Sequence, residues 1–379
     1  IAKQYALNDD AQTPAEQLND GVDFVPTKPI YLLGQHFSAI AAAGPIVGPI
    51  AACHQFGWLP CVLWIGLGVI FIGAVHDFSA LVASVRHKAR TIAEIVKENL
   101  SPRAWVAMMA FIWIALIYVI VAFTDVTAGT FVGRIEELDG VKVGFERGGA
   151  VAFASIAYLT LAMVIGVIQK KWNPPLMLMT LVFVPVSLAV VYLGMKCSTV
   201  FAMAPPKADA YWQPQKIWGV IILVYCFIAS MLPMWLLLQP RGYLGGFILY
   251  IVLAVGVIGI FVGGEIARIE QPAFKGWVQT VNGVPTATGF IFPFLFVTIA
   301  CGACSGFHGL VCSGTTSKQI SRESHCKPVG YGGMLLEGFV ALIALSTIMV
   351  ASKYDPTKPG ATYAWGIGEY LTVLIGREN

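Results

Sequence analysis

From Ala104 to Val132 the chain carries a single charged side chain, Asp125. A helix needs about 20 mostly apolar residues to cross about 30 Å of hydrocarbon, and a run this long has little place in a soluble domain. Comparable runs recur at 31–56, 58–85, 149–169, 174–196, 217–239, 243–264, 289–314 and 332–352, with a shorter one at 362–376. The pattern predicts an all-α polytopic membrane protein of about ten transmembrane helices. Composition agrees: of 379 residues, 57% are apolar and 12% charged, and mean hydropathy is +0.74. A soluble domain carries about 25% charged residues. A soluble enzyme, a disordered regulator and a nucleic-acid binder are thereby disfavoured, and the partners expected are the lipid bilayer and whatever the protein moves across it. Eight cysteines spread along so long a chain are not a disulfide framework.

Residues 1–30 are a polar lead-in, with Asp9, Asp10, Glu16, Asp20 and Asp23 among Pro14, Pro26 and Pro29. It is too short and polar to be a domain. The chain begins at Ile1 without a signal-peptide pattern, so a processed or missing N-terminus is expected. Lys and Arg in the loops set orientation. The bias is modest overall, and the 86–103 loop decides it with Arg86, Lys88, Arg90, Lys97 and Arg103. The lead-in and that loop are expected in the cytoplasm. Ile92, Ile95, Val96 and Leu100 give the loop an apolar stripe, so it reads as an amphipathic surface helix or a solvated linker.

The first span contains Gly44-Pro45-Ile46-Val47-Gly48-Pro49, and the sixth contains Ser230-Met231-Leu232-Pro233. Proline removes a backbone donor and clashes with the preceding turn, so both spans are expected to break there. The two interruptions lie about 185 residues apart, and the neighbouring spans repeat at nearly the same offset. Five spans per copy is odd, so the second copy must be inverted. The expected organisation is a five-plus-five inverted repeat, residues 31–196 and 217–379, joined by an extracytoplasmic loop at 197–216. Irregular backbone at membrane depth survives where it lines a cavity or is buried in protein, so the breaks are expected to form the substrate site.

Ionisable residues inside spans are functional candidates. Asp125 is read as a gating or proton-carrying group, or as a carboxylate solvated near the outer interface. His36 and His54 flank the first break, and His76-Asp77 sits near the end of the second span; a histidine beside a carboxylate can hold a proton near neutral pH. Glu337, inside the ninth span, reads more safely as a helix-pairing or interfacial residue. The candidate substrate contacts are Gly44, Pro45 and Gly48, whose exposed amides suit a carboxylate, together with Ser38, Ser230, Ser305 and His308.

In the eighth span, Cys301, Cys304, His308 and Cys312 fall on one helical face. This suggests a metal or redox centre as the competing reading. On a continuous helix the first and last lie about 16 Å apart, too far to surround one tetrahedral ion. No metal and no cofactor is therefore expected, and a small-residue face lining a path is preferred.

Five stretches then carry a resemblance: LNDGVDFVPT at 18–27, HFSAI at 36–40 leading into GPIVGP, GAVHDF at 73–78, PRGYL at 240–244, and SGFH at 305–308 running through SGTTSKQ at 313–319. Together they resemble the carbon starvation protein A (CstA) family of prokaryotic transporters, along essentially the whole chain. Members of that family usually begin with one further apolar helix, and many continue past the tenth span. The resemblance implies a plasma (inner) membrane transporter, not an enzyme, that imports peptides or pyruvate during carbon starvation. It also implies kinship with the amino acid–polyamine–organocation superfamily, and so a LeuT-like fold with broken first and sixth helices. In that fold a sodium ion, where used, sits near hydroxyls of the eighth helix, which here are Ser313, Thr315 and Thr316. The coupling groups expected are thus Asp125, His76, Asp77, Ser313, Thr315 and Thr316, with a proton or sodium as the ion. A starvation sensor is the remaining reading.

Overall fold

A computed structural model describes residues 4–132, 137–138, 141–142, 146–203, 213–281, 284–356 and 358–376. Among these, six helices are long and apolar enough to cross a membrane: Trp58–Arg86, Pro102–Phe131, Arg147–Trp172, Leu176–Lys196, Leu238–Val262 and Glu323–Met349. A seventh crossing is formed if the pair Pro29–Ile40 and Gly44–Phe56, bent by 45°, counts as one span. The remaining expected spans are shorter or interrupted. Pro214–Ser230 and Pro359–Ile375 have 17 residues each, about 25 Å at 1.5 Å per residue, short of the hydrocarbon thickness.

The first break is real, but it lies just ahead of the motif expected to cause it. Helix Pro29–Ile40 ends, Ala41–Ala43 turn, and the next helix starts at Gly44. Pro45 falls in that helix's first turn, where its missing N–H is no loss. Gly44-Pro45 thus opens a helix. Pro49 lies inside it and leaves the Pro45 carbonyl without its usual donor.

The second break takes a different form from the one expected. Helix Pro214–Ser230 stops, Met231–Leu237 form turns, and helix resumes at Leu238. The expected sixth span, 217–239, therefore has no second helical half. Pro240 sits within the first turn of the following helix, where proline is tolerated.

The eighth span departs most. A β-hairpin, Val278–Val281 with Val284–Phe290, leads into Ile291–Thr298, Ala300–Cys304 and His308–Val311. The chain breaks at Ser305, whose φ is +81°. Small residues allow this: a Cβ on Gly302 would come 2.8 Å from Ala341 Cβ, so the segment lies against the Gly332–Met349 helix as only glycine permits.

The chain divides into two compact units, Val96–Leu244 and the remainder. In the Val96–Leu244 unit, Ala128, Phe131, Ala152 and Trp218 make one core cluster. The other unit is built on a larger one, with Phe56, Ile65, Leu295, Ile299, Leu345 and Ile348 fully or almost fully buried. The lead-in packs onto this second unit. Thr27 bridges to Ile320, the Val25 amide donates to the Lys318 carbonyl, and the Asn8 amide donates to Glu323, which also pairs with Arg86.

Candidate functional site

Three helical segments in the larger unit bring buried charge together, and each is distorted beside the residue that matters. The Trp58–Arg86 helix carries a π-turn at Val69–Gly73, just before His76 and Asp77. A second π-turn, Cys312–Thr316, follows His308, and a third, Lys327–Tyr331, precedes Glu337. Such turns add a residue and re-aim the side chains that follow, and they concentrate at functional sites.

Asp77 is the centre. Its side chain is shielded from solvent, as are those of His308 and Glu337. His76 Nδ1 donates to Asp77 Oδ1 at 2.9 Å, and His308 Nδ1 donates to Oδ2 at 2.8 Å. His76 is half-exposed, so it marks the accessible end of the row. On the far side, His308 Nε2 lies 3.0 Å from Glu337 Oε2. That distance has the wrong angle for a hydrogen bond, and both atoms are buried without one. The Cys301 thiol donates to Glu337 Oε1 at 3.5 Å.

A second group abuts the first. His36 Nδ1 bonds Thr316 Oγ1 at 2.9 Å, and the buried Cys312 thiol donates to the Asp77 carbonyl at 3.6 Å. His36, Asp77 and Cys312 place their donor atoms within 4.8 Å of one another. A buried row of two carboxylates and two imidazoles is expensive to assemble, and its members hold one another in place.

The broken helix forms one wall beside this row. A Cβ added to Gly44 would lie 2.6 Å from Cys301 Sγ, and one added to Gly48 would collide with the Thr298 carbonyl. Ser305, at the facing break, buries its hydroxyl without a hydrogen-bond partner. Its positive φ is rare for a residue with a side chain. An unsatisfied hydroxyl held in strained backbone is a feature that marks ligand sites.

The model of the family described as carbon starvation protein CstA matches residues 1–362. The chain belongs to the CstA family. It is 39% identical to a peptide transporter CstA of Campylobacter jejuni over 358 residues, covering 90% of this chain and 46% of that protein. Against the Bacillus subtilis peptide transporter CstA the figures are 37%, 93% and 56%. The Escherichia coli pyruvate/proton symporter BtsT is 33% identical, over 93% of this chain and 46% of its own. The chain thus spans about half the length of the curated relatives it matches. No solved structure gives a significant match.

Within this chain the structure groups some expected residues and separates others. His76, Asp77 and His308 meet directly; Thr316 joins them through His36, and Gly44, Pro45 and Gly48 line the adjoining helix. Ser38 is half-buried on the Pro29–Ile40 helix. Ser313 Oγ donates to the Gly309 carbonyl at 2.7 Å and accepts from the Ile92 amide at 3.1 Å. Thr315 is half-buried, with its carbonyl accepting from Gln319 Nε2. Asp125 and Ser230 belong to the Val96–Leu244 unit. Asp125 is exposed and accepts from Gln215 Nε2 at 2.8 Å, while Ser230, also exposed, turns back to the Phe227 carbonyl.

Two corrections follow. Cys301, Cys304, His308 and Cys312 do not share one helical face, because the chain breaks between Cys304 and His308. Of the two readings of Glu337 the interfacial one fails, and as a fully buried partner of His308 it fits the helix-pairing one. Its signal was available in the sequence: a lone carboxylate inside an otherwise apolar span needs a buried partner.

Proposed function

We propose that this chain belongs to a secondary active transporter that carries small organic nutrients, peptides or pyruvate, across a prokaryotic plasma membrane. The observation that carries the reading is the His76–Asp77–His308 row, buried at Asp77 and His308 and open at His76, set between two interrupted helical segments. Helix-depth charge of this kind, beside irregular backbone, suits a path that opens by turns to either side. The family relationship and the relatives' names as peptide transporters and a pyruvate/proton symporter support it.

The substrate is assigned to the N-terminal end of the Gly44–Phe56 helix and Ser305, where a carboxylate would meet the positive end of a helix of 13 residues and an unpaired hydroxyl. A proton is the better coupling ion. Ser313 Oγ already accepts from the Ile92 amide and Thr316 Oγ1 is bonded to His36, whereas sodium needs several free oxygens. The five-plus-five inverted repeat remains the architecture we favour for the alternating-access step.

The test is uptake of pyruvate and of dipeptides by the purified full-length protein in liposomes. Proton and sodium gradients are imposed separately. Uptake under the proton gradient alone is the expected result, and absence of uptake of either substrate under both gradients sinks the proposal.

A further inference from the structure

Cys301, His308 and Glu337 come from three different elements, Ala300–Cys304, His308–Val311 and Gly332–Met349. Their Sγ, imidazole nitrogen and carboxylate oxygen all lie within 4.8 Å of one another. We propose that Cys301 Sγ, His308 Nε2 and Glu337 Oε2 bind one divalent transition-metal ion of the zinc class, with Asp77 orienting the histidine. The inference concerns this ligand set and stands whether or not the transport reading holds.

The unpaired atoms argue for it first. His308 Nε2 and Glu337 Oε2 are buried, 3.0 Å apart, and make no hydrogen bond with each other or with any other described residue. Buried polar atoms are rarely left without a hydrogen bond, so this pair calls for a third party that both can reach. Ligand atoms bound at about 2.0–2.3 Å around a tetrahedral ion sit about 3.3–3.8 Å from each other. The 3.0 Å separation of Glu337 Oε2 from His308 Nε2 is within a few tenths of an ångström of that, and Cys301 Sγ lies 3.5 Å from the other oxygen of the same carboxylate, Oε1.

The surroundings argue next. A metal-bound histidine nearly always gives its other ring N–H to a carboxylate, which fixes the tautomer and turns the free lone pair to the ion. His308 does so to Asp77 at 2.8 Å, and Asp77 is itself held by His76. The adjacent triad of His36, Asp77 and Cys312 is equally compact but differs in this respect. Both Asp77 oxygens are already engaged by His76 and His308, so that triad lacks a free carboxylate oxygen such as Glu337 Oε2.

The donor chemistry selects the ion. One thiol, one imidazole and one carboxylate suit zinc or cobalt, whereas sodium and calcium ask for oxygen alone. Three protein ligands leave a fourth position open. The distance objection that holds for a continuous helix disappears because the chain turns at Ser305, bringing His308 back to Cys301. Cys304 lies outside the ligand set. A bound ion would tie both sides of this break to the Gly332–Met349 helix.

The experiment uses the full-length protein purified through a tag free of histidine. Zinc is measured by elemental analysis, and cobalt(II) is added to metal-stripped protein to read its absorption. About one zinc per chain is expected, with a thiolate-to-cobalt charge-transfer band and a higher melting temperature when zinc is added. Cys304→Ser keeps all three. Cys301→Ser loses the charge-transfer band and the zinc-induced rise in melting temperature. Glu337→Gln, which preserves shape, keeps the band and weakens zinc binding at least about tenfold. Wild-type protein without stoichiometric zinc after metal loading overturns the proposal, and so does a cobalt band that survives unchanged in Cys301→Ser.

Discussion

Asp77 Oδ2 accepts a 2.8 Å hydrogen bond from His308 Nδ1, although the two residues are 231 apart in sequence and neither side chain reaches solvent. This contact joins the second apolar span to the interrupted eighth. It is also why the two candidate carboxylates, Asp77 and Asp125, are expected to differ. Asp77→Asn leaves His308 and His76 without their shared anion. Removing one partner of a buried ionic pair costs about 3–5 kcal/mol. Asp125, exposed and bonded to a glutamine, has no such dependants among the described residues. Liposome uptake is expected to fall at least about tenfold in Asp77→Asn and to stay within about threefold of wild type in Asp125→Asn.

Ser305 offers a change with opposite effects on stability and function. Its φ of +81° strains a side-chain-bearing residue, and its buried hydroxyl has no partner. Ser305→Gly removes both, so the melting transition should rise by the equivalent of about 1 kcal/mol. If the hydroxyl meets substrate, the apparent affinity for uptake falls in the same variant. A destabilised Ser305→Gly would contradict the strain argument, and unaltered uptake would remove Ser305 from the substrate site.

At Gly48 the smallest substitution is already informative. A Cβ there meets the Thr298 carbonyl, which is backbone and cannot swing aside. Gly48→Ala should lower stability by about 1–3 kcal/mol through overpacking, and Gly48→Leu should fail to fold. Thermal unfolding in detergent reads the first, and yield of monodisperse protein reads the second. Gly314, whose added Cβ would meet nothing within 4 Å, is the matched control and should accept alanine with little loss.

The lead-in should undock in acid. The Ser324 hydroxyl and backbone amide both donate to the Asp9 carboxylate, the amide at 2.8 Å, and hold its pKa below the ordinary 3.8; the nearby charges of Arg322 and His325 add to this. Because the docked value is the lower one, the contribution is complete above the free carboxylate's pKa and is lost as pH falls through the docked value. The hydrogen-exchange protection of residues 4–25, corrected for the intrinsic pH dependence of the rate, should therefore fall as pH drops below about 4. Asp9→Asn should remove the part of that change due to this contact, and an identical pH response in the variant would refute the assignment.

Local chemistry accounts for the parts of this protein that were legible in one dimension. Long apolar runs fixed where helices form, because lipid-depth backbone must satisfy itself within the segment. His36, Asp77, Ser305 and His308 were visible as polar exceptions to those runs. The position of each break was less legible. Proline is damaging in mid-helix yet welcome in a first turn, and the sequence does not say which turn it will occupy. Gly44-Pro45 opened a helix, and Ser305 broke one without any proline at all.

Glu337 and Cys301 show the larger limit. Read along the chain, one was a pairing residue and the other part of a cysteine face that a straight helix could never close around an ion. The turn at Ser305 and the three π-turns changed which atoms meet. The sequence by itself determined that this is a helical membrane protein with a few costly polar groups inside it. Only the tertiary structure decided that Asp77, His308, Glu337 and Cys301 lie in one row, because helix periodicity predicts a face and not the break that turns it.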